Sequence, residues 1–97
     1  MTLEVEQKEN INNNSEKFVT SPDLLHQDES YVLSVQADAL RSSMMFKESV
    51  PKYLRSILLN RENLEAYYGL ALSYKHLQDF PKAISTLKKA LIVDDLN

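Results

Sequence analysis

From Ser30 onward, apolar residues recur three and four positions apart, in four separate runs. The apolar members of the four runs are Leu33, Ala37 and Leu40; Val50, Tyr53, Leu54, Ile57 and Leu58; Ala66, Tyr67, Leu70, Ala71, Tyr74 and Leu77; and Ala83, Ile84, Leu87, Ala90 and Leu91. This spacing is typical of helices that bury one face and expose the other. It predicts four amphipathic helices and therefore an all-α fold.

Short polar breaks separate the runs at residues 42–43, 60–63 and 78–79. Because breaks this short can do little more than reverse the chain, neighbouring helices are expected to pack antiparallel, as hairpins. Asp79 is expected to cap the fourth helix, with Pro81 in its first turn.

The sequence offers two starts for the first helix. Residues 21–23 (Ser-Pro-Asp) place a hydroxyl cap before a proline at the first helical position, and residues 28–30 (Asp-Glu-Ser) offer another start a turn or two later. Both starts remain open at this point.

The start of the second helix depends on Pro51. Inside a helix this proline would remove a backbone hydrogen bond, at a cost of roughly 3 kcal/mol. Ser49 is therefore expected to cap a helix that starts late, with Val50 and Pro51 in its first turn. The linker that precedes it, with residues 44–46 (Met-Met-Phe), is expected to fold over the core.

The chain also repeats itself, because residues 64–97 follow the pattern of residues 30–63. Aligned position by position, the two segments pair Leu33 with Tyr67, Ala37 with Ala71, Leu40 with Tyr74, Phe46 with Phe80, Ser49 with Ala83, Tyr53 with Leu87, Ser56 with Ala90, and Ile57 with Leu91. Residues paired in this alignment are called equivalent below. Large residues meet large ones and small residues meet small ones. Antiparallel helices approach closely only where a small side chain faces a large one, so the recurrence predicts two similar helix hairpins.

The second copy has a distinctive order of residue types. Its first helix carries an aromatic, a leucine followed by a small residue, and another aromatic, and its second helix alternates small and apolar residues; these are Tyr67, Leu70, Ala71, Tyr74, Phe80, Ala83, Leu87 and Ala90. With this pattern residues 64–97 resemble a tetratricopeptide repeat (TPR). Residues 30–63 resemble a degenerate copy in which Gln36 stands where a leucine is expected. The resemblance implies helix hairpins stacked as a short, right-handed TPR-type solenoid.

In the TPR family the first helix of each repeat lines a concave groove that binds an extended peptide or a helix. The resemblance therefore implies a partner-binding groove formed by Tyr31, Val35, Arg41, Glu65, Tyr68, Leu72, Lys75 and His76. Gly69 lies on the same side and is expected to let a ligand backbone approach closely. The alternative for Tyr68 and Leu72 is ordinary packing against a neighbouring repeat.

Two stacked hairpins leave an apolar face that only a further repeat or a capping helix can cover. Ile84, Leu87 and Leu91 are expected to border this exposed face. Three explanations stay open. The chain is a truncated part of a longer array, it associates with itself through this face, or it caps another subunit.

Composition narrows the class of protein. The chain has 97 residues, a net charge of −3 and no cysteine. The acidic balance disfavours nucleic-acid binding, and the lack of cysteine excludes disulfides, thiolate zinc sites and cysteine nucleophiles. No apolar run approaches the roughly 18 residues of a membrane span, and the N-terminus does not resemble a secretory signal. We therefore expect a cytoplasmic protein that binds neither nucleic acid nor membrane.

Residues 1–29 carry seven acidic and two basic side chains, with an Asn-rich stretch at residues 10–15. Such a segment buries too little apolar surface to offset about 1–2 kcal/mol of backbone entropy per residue. Residues 1–20 are predicted to form a disordered, acidic, Asn-rich tail, and residues 21–97 the folded domain. The tail is either a leader without a role, or it acts as a short linear motif or as an intramolecular mimic that covers the basic folded part.

Candidate catalytic groups are few. His26 and His76 are far apart in the sequence, without companion ligands at metal spacing. We predict no catalytic residue, no metal site and no cofactor. The predicted function is a non-catalytic protein-interaction module or scaffold that binds a protein or peptide. The alternative is the N-terminal TPR portion of a larger enzyme, for example a glycosyltransferase, that presents substrate.

Overall fold

The computed structural model describes residues 22–96. It contains four helices, α1 (Pro22–Ser42), α2 (Phe46–Leu59), α3 (Leu64–His76) and α4 (Phe80–Leu96), and no strand within that range. The predicted all-α class is confirmed. The tail predicted over residues 1–20 lies outside the described residues.

Successive helices run antiparallel, and the contacts between α2 and α3 show this directly. Ser56 lies near Asn63, Tyr53 faces Gly69, and Ser49 bonds to Ser73, so the residue numbers rise on one helix as they fall on the other. Helix α3 packs against both α1 and α2, whereas α4 packs against α3. None of the helices between residues 22 and 96 is both long enough and apolar enough to cross a membrane.

The starts of α1, α3 and α4 follow local signals in the sequence. Helix α1 begins at Pro22, the earlier of its two candidate starts. Asn63 accepts from the Ala66 amide at 3.3 Å and so caps α3. Asp79 Oδ1 accepts from the Lys82 amide at 3.3 Å, which confirms the predicted cap of α4.

The predicted start of α2 is wrong. The helix begins at Phe46, so Ser49 lies inside it and donates its hydroxyl to the Phe46 carbonyl at 2.8 Å. Pro51 also lies inside the helix, on its exposed side. Its missing amide leaves one backbone bond unmade, and the carbonyl that loses this partner belongs to the exposed Lys47. Met44, at 75% exposed, does not fold over the core.

The turn before α2 explains why the helix starts early. Met44 has φ 63°, and the equivalent residue in the second hairpin, Gln78, has φ 64°. In both turns this left-handed residue donates its amide to the carbonyl three positions earlier (both 2.9 Å), and the next amide donates to the carbonyl five positions earlier (2.8 and 2.9 Å). These two bonds define a Schellman motif, which ends one helix and places the start of the next. The two hairpins therefore turn in the same way.

The core lies where α3 meets the first hairpin. Ala37, Tyr53, Ala66 and Leu70 are buried together, with Val50, Ile57 and Tyr74 packed around them. Small residues at equivalent positions are buried in both hairpins, as in the pairs Ala37 and Ala71, Ser49 and Ala83, and Ser56 and Ala90. The size pattern found in the sequence is thus the pattern by which the helices of each hairpin pack.

Buried hydroxyls fasten the first hairpin. Ser30 and Ser56 each donate to the backbone carbonyl of the other, at 2.7 and 2.6 Å. The Asn63 side-chain amide donates to both hydroxyls, at 3.0 and 3.2 Å, while its oxygen caps α3. One side chain therefore joins three helices, and every side chain in the cluster has a partner.

The Met44→Gly substitution is expected to raise the free energy of unfolding by about 0.5–1 kcal/mol, because glycine adopts positive φ without steric cost. Urea denaturation measures the change. Gln78→Gly at the equivalent turn should behave alike, whereas Met45→Gly, at a residue with φ −94°, should not stabilise. A loss of stability in both the Met44 and Gln78 variants would contradict the role assigned to this turn.

Candidate functional site

An apolar concavity lies between α3 and α4, and we refer to it as the α3/α4 groove. It has a volume of about 400 Å³ and is lined by Tyr68, Ala71, Leu72, Lys75, Phe80, Ala83, Ile84 and Leu87. Lys75 is the one charged residue in this lining. An exposed apolar surface of this kind is typical of a protein-interaction site.

Helical spacing builds the two walls. Tyr68, Leu72 and Lys75 are four and three positions apart on α3, so they share one face. Phe80, Ile84 and Leu87 repeat that spacing on α4. The large apolar side chains remain 40–54% exposed at the rim.

The floor of the groove is formed by two alanines. Ala71 is 3% exposed and Ala83 7% exposed. Their small side chains let α3 and α4 approach closely and leave a hollow between the larger walls. Leu91 continues the apolar surface beyond the groove and is 61% exposed, so the exposed face predicted for Ile84, Leu87 and Leu91 is confirmed.

The structure places the eight residues predicted to bind a partner in different surroundings. Tyr68, Leu72 and Lys75 line the α3/α4 groove. Tyr31 and Val35 are exposed on α1, and Glu65 is exposed in the first turn of α3, all three outside the groove lining.

Arg41 and His76 each have an internal partner. The Arg41 Nε donates to the Tyr53 hydroxyl at 2.9 Å, and its Nη2 lies 3.4 Å from Asp38 Oδ1. The His76 ring stacks on Phe46, with centroids 4.4 Å apart and planes 4° from parallel. Both side chains therefore help to hold adjacent helices together.

The expectation that Gly69 faces a ligand is wrong. Gly69 is buried, and a Cβ built at this position would overlap the Tyr53 ring. The glycine is needed because a fully buried tyrosine from α2 occupies the space that a side chain would fill. The close approach predicted for Gly69 is thus an approach to another helix of the same chain.

Tyr53 is the centre of a polar cluster with two partly exposed side chains of α1. Its hydroxyl donates to Asp38 and accepts from Arg41. Burial, with a further contribution from the bond to Asp38, raises the pKa of Tyr53 to about 12, although the bond from Arg41 opposes the rise. The bond to Tyr53 in turn raises the pKa of Arg41. The cluster orders α1 against α2 and is absent from the groove lining.

The sequence prediction missed Phe80, Ala71 and Ala83 as members of the site. The repeat contains a signal for two of them, because Phe80 is equivalent to Phe46 and Ala83 is equivalent to Ser49. Both of these earlier residues contact α3, since Phe46 stacks on His76 and Ser49 bonds to Ser73. The groove is thus the second copy of a surface that is already occupied in the first hairpin.

The lining of the groove suits the apolar side chains of a bound helix better than the reacting group of a substrate. Among the described residues, no three His, Asp or Glu side chains meet in a way that could hold a metal ion. Comparison of the chain with protein-family models, with curated proteins and with solved structures finds no match.

The Gly69→Ala substitution is expected to lower the free energy of unfolding by about 1–3 kcal/mol, because the new methyl overlaps Tyr53. The loss should occur although alanine favours a helix over glycine by about 1 kcal/mol. In a Tyr53→Leu background, which copies the equivalent residue Leu87, the same substitution should cost less. Equal costs in the two backgrounds, measured by urea denaturation, would contradict the contact.

The raised pKa of Tyr53 predicts a loss of stability at alkaline pH. The folded chain holds this proton more tightly than the unfolded chain, so stability is fully present below pH 10 and is lost as the pH rises toward about 12. The loss should reach up to about 2–3 kcal/mol. Tyr53→Phe should lack this component, and subtracting its pH profile from that of the parent chain cancels the other titrating groups. Superimposable profiles would contradict the assignment.

Proposed function

We propose that this chain is a non-catalytic protein-interaction module of the TPR type, whose α3/α4 groove binds one amphipathic helix of a partner protein. The observation that carries the proposal is the groove, an apolar concavity of about 400 Å³ with large apolar side chains along its rim. A surface of this shape matches the mode in which a helix places its apolar face into a hydrophobic groove.

The first hairpin supports a helix as the ligand. The groove residues Tyr68, Ala83 and Leu87 are equivalent to Ser34, Ser49 and Tyr53. All three of these earlier residues are fully or almost fully buried, and α3 packs against the two helices that carry them. The equivalent surface in the same chain is therefore filled by a helix.

A TPR-type stack is the architecture we propose for the two hairpins. The support is the recurrence of turn geometry and of buried small residues at equivalent positions. In such a stack Tyr31 and Glu65 occupy equivalent positions and extend the surface open to a partner. A cytoplasmic location suits an interaction module that contains no cysteine.

Peptides selected from a displayed helical library against the full chain are expected to carry apolar residues with i, i+3, i+4 and i+7 spacing. Their binding should shift the NMR signals of Leu72, Ile84 and Leu87. The double variant Tyr68→Ala, Leu72→Ala should weaken binding about tenfold or more, because it removes one wall of the groove.

The matched control is the double variant Leu54→Ala, Leu58→Ala. These leucines are also exposed (47% and 72%) but lie on α2, outside the groove lining. This variant should bind the peptides as the parent chain does. Equal weakening by both double variants, or NMR shifts confined to α2, would contradict the proposal.

A further inference from the structure

The described part of the chain has two complementary open surfaces. Helix α3 buries Ala66, Gly69, Leu70 and Ser73 against the first hairpin. The equivalent residues on α1 are Val32, Val35, Gln36 and Ala39, which we call the α1 face, and all four are exposed. The α3/α4 groove is open at the other end of the stack. The same rotation and translation that relate the first hairpin to the second, applied once more, would place the α1 face of another chain in this groove.

The sizes of the side chains match across such a joint. Inside the chain, Gly69 leaves room for the ring of Tyr53. At the equivalent positions of the open surfaces, Val35 replaces the glycine and Leu87 replaces the tyrosine. A larger residue on one side is thus balanced by a smaller one on the other, as close packing requires.

The polarity of the side chains matches as well. Inside the chain, Ser49 and Ser73 are joined by a buried hydrogen bond of 2.7 Å. At the open surfaces, Ala83 replaces Ser49 and Ala39 replaces Ser73, so both members of the pair become apolar together. A hydroxyl on one side only would have been left without a partner.

We infer that the groove's occupant is the α1 face of a second copy of this chain, joined head to tail. The inference rests on the proposed function of the α3/α4 groove and names its partner. Since the two surfaces differ, the association is heterologous, and a copy added at the groove presents a groove of its own.

One position is expected to make the contact between two chains weaker than the contact between the two hairpins of one chain. Gln36 stands where α3 has Leu70, and its amide oxygen accepts from Lys52 Nζ at 2.9 Å on the surface. Entry into the groove would bury part of this amide against apolar walls, which is unfavourable. The self-association is therefore expected at high chain concentration.

Sedimentation velocity of the full 97-residue chain, from about 10 µM to about 1 mM, tests the inference. The mean mass is expected to rise with concentration and to pass that of a dimer. A chain that remains monomeric throughout this range would overturn the inference. This holds both if residues 1–21 cover the groove and if another protein does. Peptide binding to the groove can succeed in that case, so the two proposals fail separately.

Complementation of two variants tests the direction of the joint. Leu87→Glu blocks the groove and Val35→Arg blocks the α1 face, so each variant alone should be monomeric. An equimolar mixture should form a dimer and stop there, because one intact groove meets one intact α1 face. Self-association of Val35→Arg alone would show groove-to-groove pairing and would overturn the inference.

The Gln36→Leu substitution is expected to strengthen self-association. It restores the leucine found at the equivalent position of α3 and should lower the apparent dissociation constant about tenfold. Leu58→Arg, at an exposed position outside both surfaces, should leave association unchanged. Circular dichroism verifies that all variants are folded. Weaker association of Gln36→Leu, or loss of association in Leu58→Arg, would overturn the assignment of the surfaces.

Discussion

The structure depends on how closely α2 and α3 approach each other. Tyr53 is wholly buried, and the space for its ring exists only because Gly69 has no side chain. This contact brings Ser49 within hydrogen-bond distance of Ser73 and lets Asn63 reach the hydroxyls of the first hairpin. A larger residue at position 69 would separate the helices and weaken these short-range bonds together.

Burying a tyrosine also imposes an electrostatic requirement. Its hydroxyl needs partners once water is excluded, and Asp38 and Arg41 of α1 provide them. The cluster therefore ties α1 to the same residue that sets the distance between α2 and α3. The buried serines have the same double use, because a small side chain permits close approach and its hydroxyl bonds across the contact.

The α3/α4 groove results from the same packing rule at a place where the described chain supplies no third helix. Ala71 and Ala83 bring the two helices together, and Tyr68, Ile84 and Leu87 stand around them without a helix to cover them. In the first hairpin, α3 fills this position. The site is thus a packing surface of the fold, which explains why its lining is apolar and why Lys75 is the one charge in it.

The sequence by itself determined the number and kind of helices, the Asp79 cap and the exposed apolar face, because these follow from local spacing and from short-range hydrogen bonds. The tertiary structure alone decided that α2 tolerates Pro51 in its interior and in which direction Gly69 faces. A proline inside a helix is tolerated where its missing bond faces solvent, and a glycine can serve a neighbouring ring as well as a ligand. Both outcomes depend on contacts between residues distant in the chain, and local spacing contains no information about them.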